Sequence, residues 1–431
     1  MNEISSEFLR LGTQFLRAHL VGPDQTWTFE PPPPSWRPQR IDRTSLYLHI
    51  PFCRHHCPYC PYTKFRFEPA LVSRFIEAGS AEIDWWADKV GPTEVTSIYV
   101  GGGTPTLALD GVIRLLSKVR ERFDITGDVC IETNPADVSD QVVSELQGAG
   151  VTLVSLGVQS FNPRHLATIG RPYSPEVAER ALERLAGSGF ASVNADLMFA
   201  LPGQSEADVQ LDLARAVDLG VDQITTYPLF TFPFTSVGRI QRLKSLRMPD
   251  LRARRSQYRT ISNWCKTHDL TRVSVWGFKR GTGPRYSSVT RDGYLGIGPG
   301  AGSNLQDGFV FNTFDLTSWA DAAKGGRPVV ALHLPFTERM AGWWWLYWRL
   351  YETRVPLDDL DQIMGPRAQQ ARRWLDRLEW LGLAQVKNRS LELTEPGAFW
   401  VHLAQNQFAL QYVDRLWETA RKEPWPGRVS F

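Results

Sequence analysis

The chain has 431 residues, of which 42% are hydrophobic and 22% charged, with a formal net charge of +2. That length suits one large domain with a smaller one, and a near-neutral chain without a basic or acidic tail argues against nucleic acid or a membrane surface as the partner. Acidic Glu3 and Glu7, with no continuous apolar run beside them, argue against a secretory signal. Ile4, Phe8, Leu11, Phe15 and Leu16 recur at helical spacing, which predicts an amphipathic helix over 4–20 docked on the main body. Pro31 to Pro34, with Pro38 soon after, make a stiff connector without backbone donors. Residues 1–42 are therefore expected to form a helical and proline-rich extension.

Tyr47-Leu-His-Ile-Pro-Phe-Cys53-Arg-His-His-Cys57-Pro-Tyr-Cys60 is an extended apolar run ending in three cysteines at C-x3-C-x2-C spacing. Three thiolates this close together suit one soft metal centre. They do not close a four-ligand zinc site alone, and an odd number does not pair fully as disulfides. A cluster with three protein-held irons and one open iron fits the spacing. The other reading is a zinc knuckle that borrows His49, His55 or His56. Otherwise His49 is expected in a structural hydrogen bond, and His55 and His56 in solvent or just behind the ligands. Cys130 and Cys265 lie far apart in apolar segments and read as buried thiols. Free thiols and an oxygen-sensitive cluster together point to a cytoplasmic protein.

From Ser45 the pattern alternates. Strands are predicted over 45–50, 95–101, 128–133, 152–159, 193–200 and 223–229, with helices over 70–89, 108–123, 138–149, 174–188 and 205–219. Short apolar runs separated by helical patterns mean βαβ units and a parallel sheet. Six such repeats give an α/β fold, a partial (β/α)6 TIM-like barrel, whose chemistry belongs at the C-terminal strand ends. Four polar groups fall there: the loop Gly101-Gly102-Gly103-Thr104-Pro105 after the second strand, Glu132 ending the third, Gln159 ending the fourth and Asp196 within the fifth. Arg171 follows in Ile-Gly-Arg-Pro. Consecutive glycines let a backbone approach a ligand and offer it amides, although a plain tight turn reads the same way. An arginine suits bidentate capture of a carboxylate.

Later come a helix over 248–269, a strand Val273–Gly277 and the turn Gly296–Gly302, read as either a wall against ligand or a barrel-edge bend. The aromatic run Trp343–Trp348 is too short to cross a bilayer and reads as core packing ahead of a platform for a flat substrate. Residues 367–383, 384–388, 390–394 and 396–419 read as helix, strand, strand and helix.

The cysteine spacing, with aromatic Tyr59 before the last cysteine and Tyr-x-His-Ile-Pro-Phe before the first, resembles the radical S-adenosylmethionine (SAM) superfamily in its oxygen-independent coproporphyrinogen III oxidase-like branch. The resemblance implies a 4Fe–4S cluster on Cys53, Cys57 and Cys60, with SAM chelated at the open iron. It also implies a SAM-binding set drawn from Tyr47, Tyr59, Gly102, Gly103, Thr104, Glu132, Gln159, Arg171 and Asp196, holding two SAM molecules side by side. It divides the chain into a core barrel with its extension over 43–330 and a helical, winged-helix-like tail over 331–431.

The family's oxidases carry a further cysteine where Tyr62 stands, and its haem chaperones carry a histidine where the chain reads Arg285-Tyr-Ser-Ser-Val-Thr. With both signatures absent, the resemblance favours its class C methyltransferases. That implies transfer of a methyl or methylene carbon to an sp2 carbon of an aromatic or unsaturated natural product, in some members toward a cyclopropane. A flavodoxin or ferredoxin reductant is implied, and for ring closure a downstream methyltransferase-like partner enzyme. Oxidative decarboxylation of coproporphyrinogen and haem carriage are the other activities on this scaffold.

Overall fold

The computed structural model describes residues 3–21, 26–232, 234–238, 247–287 and 293–430, with side chains from residue 9 onward. Six strands follow one another with helices between them: β1 (Arg43–Ile50), β2 (Glu94–Gly102), β3 (Asp124–Thr133), β4 (Leu153–Gln159), β5 (Ser192–Phe199) and β6 (Gln223–Pro228). They lie side by side in chain order, and every neighbouring pair is parallel. The linking helices α2 to α6 are Pro69–Val90, Leu109–Arg122, Asp140–Gly148, Pro175–Ala186 and Glu206–Asp218. Local chemistry sets where they begin. α6 starts on a capping box in which the Ser205 side chain accepts from the Asp208 amide and the Asp208 carboxylate accepts from the Ser205 amide.

The strands have two inward-facing layers. Tyr47, Tyr99 and Cys130 stand in register across β1, β2 and β3, and Leu153 follows on β4. With Tyr286 they form a closed apolar cluster at the bottom of the barrel. One layer higher, Glu132, Ser155 and Asn194 are in register, so the barrel turns polar toward its C-terminal mouth. Leu46, Leu48 and Ile50 alternate with these positions and join the main core.

The barrel does not close. Beyond β6 come α7 (Leu251–Thr267), β7 (Leu270–Arg272) and β8 (Gly277–Arg280), and β8 pairs antiparallel with β6. At the other edge β9 (Tyr294–Ile297) pairs parallel with β1 and leads into the antiparallel strands β10 (Gly302–Asn304), β11 (Gly308–Asn312) and β12 (Val330–Pro335). The sheet thus has twelve strands and two open edges, with α8 (Leu316–Lys324) between β11 and β12.

Two expectations need correction, and one open reading is decided. The run Val273–Gly277 is a tight turn between β7 and β8: the amides of Val273 and Ser274 both donate to the Gly277 carbonyl. Val275 and Trp276 of that turn are buried, which gave it the look of a strand. The glycine stretch at 296–302 is a bend and no wall of the cavity described below. A side chain at Gly296 would stand 2.0 Å from the Gly302 carbonyl, and one at Gly298 2.6 Å from the His49 carbonyl. The N-terminal helix α1 (Glu3–Leu16) ends in a π-helical turn, Arg17–Val21. It packs chiefly on the last long helix of the chain, where Gly12 meets Ala404, instead of on the barrel.

That helix, α12 (Glu395–Lys422), ends a C-terminal set: α9 (Glu338–Tyr351), β13 (Arg354–Pro356), α10 (Leu357–Met364), α11 (Ala368–Trp380), β14 (Ala384–Lys387) and β15 (Ser390–Leu393). β13, β15 and β14 form a small antiparallel sheet. The tryptophans of α9 pack inside this set. Trp343 meets Phe15 edge-on at 5.6 Å, and Trp344 stacks on Tyr347 at 5.6 Å. The short strand Thr28–Phe29 pairs antiparallel with Val429–Ser430. No helix among the described residues is long and apolar enough to cross a membrane.

Candidate active site

A cavity of about 590 Å³ opens at the C-terminal mouth of the barrel. Cys53, Cys57, Cys60, Tyr59, Gly102, Gly103, Thr104, Glu132, Gln159, Arg171 and Asp196 all line it. Tyr47 stands just behind, in the inner tyrosine layer, and its hydroxyl bonds His49 Nδ1 at 2.6 Å.

The cysteines are carried by a loop that leaves β1 and returns as a two-residue parallel pair, Phe52–Cys53 against Phe65–Arg66. All three are free and half-buried. Burial beside two other thiols pushes the Cys53 thiol up to about 12, so binding a metal there must release its proton. The zinc-knuckle alternative finds no support. His49 Nε2 bonds the Thr63 carbonyl at 2.9 Å and its Nδ1 is taken by Tyr47, while His55 and His56 are exposed. Among the described residues no three His, Cys, Asp or Glu side chains gather around a single-ion position. Burial lowers His49 to about 4, so it is a neutral strut that fixes the root of the loop.

The glycine loop departs from expectation in its polarity. Gly102 donates its amide to Glu132 Oε2 at 3.0 Å, Gly103 donates to the Ile50 carbonyl at 2.8 Å, and Thr104 to the Phe52 carbonyl at 2.8 Å. The Gly103 and Thr104 amides hold the loop to the chain that leads into Cys53, the Gly102 amide holds it to β3, and none of the three is offered to a ligand. Only glycine fits: a Cβ at Gly103 would lie 2.4 Å from the Phe52 carbonyl oxygen, and Gly102 has φ of +117°. The Thr104 hydroxyl lies beside the Cys53 thiol and slightly offsets the rise caused by burial.

Glu132 accepts from Gly102 and from the hydroxyls of Tyr99 and Tyr286. Burial still raises its pKa, against those three donors. Asp196 accepts from Ser155 at 3.1 Å and Asn194 at 2.9 Å, and burial followed by the nearby Glu132 pushes it up to about 7. Gln159 has φ of +68°, uncommon for a residue with a side chain, and accepts from the Tyr227 hydroxyl at 2.6 Å. Arg171 donates Nε to the Tyr59 hydroxyl at 3.1 Å and lies near the rings of Tyr59 and Tyr173. Among the described residues it has no carboxylate partner at ion-pair distance, so its guanidinium faces a cavity without a protein anion to neutralise it.

Several residues of the site were not anticipated. Tyr99 and Ser155 occupy inward positions of β2 and β4 that the two-residue strand period marks as barrel-facing. Tyr286 left no local signal: it enters from a distant loop, where its backbone amide donates to Gln223 Oε1 and its carbonyl accepts from Gln223 Nε2. The loop beyond it, Ser288 to Thr290 of the run noted above, lies outside the described residues, as does Pro233. Five further lining residues are aromatic: Tyr62, Phe230, Phe232, Trp276 and Tyr351. His402 joins them from α12, edge-on to Trp276 at 4.8 Å. Burial lowers His402 to about 4, and neither ring nitrogen reaches a partner at good hydrogen-bond geometry.

Residues 47–216 match the family model of the Radical SAM superfamily. The chain is 29% identical over 365 residues to anaerobilin synthase of Escherichia coli O157:H7, covering 82% of this chain and 81% of that protein. It is 34% identical over 277 residues to the heme chaperone HemW of Mycobacterium tuberculosis, covering 58% of this chain and 70% of that one. Coproporphyrinogen III oxidase (HemN) of Escherichia coli has a similar fold, with a TM-score of 0.71 at 21% identity over 86% of this chain and 90% of that one.

Proposed function

The chain belongs to the radical SAM superfamily, in its coproporphyrinogen III oxidase-like branch, and from that premise we propose that it transfers a SAM-derived carbon to an sp2 carbon of a flat, conjugated substrate. Its cofactors are a 4Fe–4S cluster and SAM, which together supply one-electron cleavage of SAM to a hydrogen-abstracting radical. The donor set fits them: three free cysteines at one cavity mouth, an arginine without an acidic partner, and two strand-end carboxyls.

Each side chain then has a task. Cys53, Cys57 and Cys60 hold three irons. Arg171 takes the methionyl carboxylate, and the loop carbonyls at Gly102 and Gly103 suit the methionyl ammonium, since their amides are engaged elsewhere. Glu132 and Asp196 receive ribose hydroxyls or a second SAM, with Gln159 and Tyr59 as flanking contacts. Tyr47 acts through His49 on the cysteine loop. Buried hydroxyls and aromatic rings exclude water from the reacting centre.

The observation that carries this reading is the division of the cavity. Tyr62, Phe230, Phe232, Trp276 and Tyr351 line it as an aromatic group beside neutral His402, and its cations, Arg54, Lys64 and Arg171, belong to the cysteine loop and to the arginine assigned to SAM. A substrate with several carboxylates would need cations beside the aromatic group. A second reading, decarboxylation or handling of a tetrapyrrole, is favoured by the names of the relatives, and the aromatic group would take such a ring equally well.

SAM with a trideuterated methyl group separates the two. Carbon transfer from a second SAM places deuterium in 5′-deoxyadenosine and forms S-adenosylhomocysteine in step with product. Unlabelled deoxyadenosine together with carbon dioxide would replace carbon transfer by decarboxylation.

A further inference from the structure

His402 lines the cavity yet takes no part in holding the cluster or SAM. It enters from α12, is 8% exposed, and packs edge-on to Trp276 at 4.8 Å and to Tyr351 at 5.2 Å. Aromatic rings from the β7–β8 turn and from α9 thus hold the imidazole in place. Both of its ring nitrogens are covered and have no hydrogen-bond partner among the described residues. Gln405, one turn along α12, is fully buried, and its Nε2 donates to the Tyr347 carbonyl at 2.6 Å. That bond fixes the amide and leaves Oε1, an acceptor, also without a partner among the described residues. The Gln405 side chain lies beside the imidazole and slightly offsets the lowering of its pKa by burial. Three unpartnered polar atoms therefore stand on one turn of α12 where it meets the cavity wall. Buried groups of this kind cost stability for as long as nothing bonds them, and a ligand that does so recovers it.

We propose that His402 is a specificity-determining residue whose imidazole accepts a hydrogen bond from an un-ionised N–H or O–H on the edge of a flat, conjugated substrate. This rests on the flat-substrate reading of the cavity. The direction of the bond follows from Gln405. A neutral imidazole has one N–H and one bare nitrogen. With the Gln405 amide beside it, the N–H is best directed at Oε1, and the bare nitrogen is left for the ligand. A half-turn of the ring about its Cβ–Cγ bond exchanges Nδ1 with Cδ2 and Nε2 with Cε1, so a covered nitrogen reaches a position that a carbon now holds. Phenols and heterocycles with a ring N–H carry such a donor on an aromatic frame. A carboxylate carries none, and His402, lowered to about 4 by burial, offers it no opposite charge at neutral pH.

The test uses the full chain, reconstituted anaerobically, and three probes of one shape: 2-naphthol, 2-methoxynaphthalene and 2-naphthoate. The first carries a neutral donor, the second the same oxygen capped by a methyl group, the third an anion. Calorimetric titration should rank naphthol roughly five- to tenfold tighter than methoxynaphthalene, the effect of one hydrogen bond to a buried acceptor, with naphthoate weakest. His402→Leu should abolish the naphthol advantage while keeping the iron content and, within about twofold, the methoxynaphthalene affinity. His402→Gln, whose amide oxygen still accepts, should restore part of the advantage, and it alone decides if the leucine variant loses its iron. A naphthol advantage that is missing from the unaltered chain, or that survives undiminished in His402→Leu, overturns the hydrogen bond and leaves the flat-substrate reading standing. Naphthoate binding tightest overturns the neutral edge. If none of the three binds while SAM is still cleaved, the flat-substrate reading falls and the role of His402 with it.

Discussion

Gly103→Ala is the sharpest probe of how the glycine loop and the cysteine segment depend on each other. The added methyl would lie 2.4 Å from the Phe52 carbonyl oxygen and 2.8 Å from both its carbonyl carbon and its amide nitrogen. All three are backbone atoms of the residue before Cys53, so no side-chain rotation relieves the contact. The loop or the cysteine segment must move by most of an ångström, which costs roughly 1–3 kcal/mol as overpacking. That motion also stretches the Gly103 to Ile50 and Thr104 to Phe52 hydrogen bonds, both 2.8 Å long, each contributing about 1 kcal/mol. The expected loss is therefore about 2–4 kcal/mol in urea denaturation, with iron retention reduced after desalting. Gly148→Ala adds the same methyl at the end of α4, where nothing lies within 4 Å. It should stabilise by roughly 0.4–1 kcal/mol through the unfolded chain. If Gly103→Ala matched Gly148→Ala in midpoint and iron content, the close approach inferred between loop and thiols would be wrong.

Cys57→Ala should leave reconstituted protein with little iron and no SAM cleavage, whereas buried Cys265→Ala keeps its iron at a stability cost of about 1–3 kcal/mol; an iron assay compares them. Arg171→Ala should weaken SAM binding by roughly tenfold or more in titration calorimetry while shifting the unfolding midpoint little, because its partner is expected to be the ligand. Glu82 makes stability depend on pH. Buried between α2 and the extension, it accepts from the Gly298 amide, Asn312 and Trp319, and burial pushes it up to about 7 from an ordinary 4.5. Between those values the unfolded chain loses the proton that the folded chain keeps, so this contribution is full below pH 4.5 and falls by about 3 kcal/mol as pH rises to 7. Glu82→Gln, shaped like the protonated acid, should remove that slope, and parallel stability profiles for the two proteins would refute the assignment.

The barrel was legible because its signals are local. Each strand is a short apolar run, each helix has its own period, and the residues with chemistry stand at strand ends where a parallel barrel puts them. Eleven of the twelve anticipated site residues share one cavity for that reason. What stayed hidden depends on distant pairing. Glu132 looked like a bare carboxylate, yet it is held by Tyr99 from β2 and Tyr286 from a loop more than a hundred and fifty residues away. The three glycines spoke of close approach but not of what approaches; the amides of Gly102, Gly103 and Thr104 turn out to serve Glu132, Ile50 and Phe52. Strands β10 to β12 are too short or too mixed to stand out in sequence and exist because β9 pairs with β1. His402 reads as an ordinary helix residue until α12 is laid across the cavity.

The pairing of Thr28–Phe29 with Val429–Ser430 has a consequence for biogenesis. Thr28 and Ser430 touch through their hydroxyls at 3.0 Å, although 402 residues separate them. During synthesis the early strand has no partner until Ser430 has left the ribosome, and α1 likewise waits for α12. The segment with Cys53, Cys57 and Cys60 is by then long exposed, and the barrel can fold while the roof contributed by Tyr351 and His402 is still missing. Iron delivery therefore has an open interval that ends when the last helix is laid down and the two distant strands zip together. Chains arrested before residue 395 should take up iron faster than released ones, and equal uptake would mean that the roof is no barrier to loading.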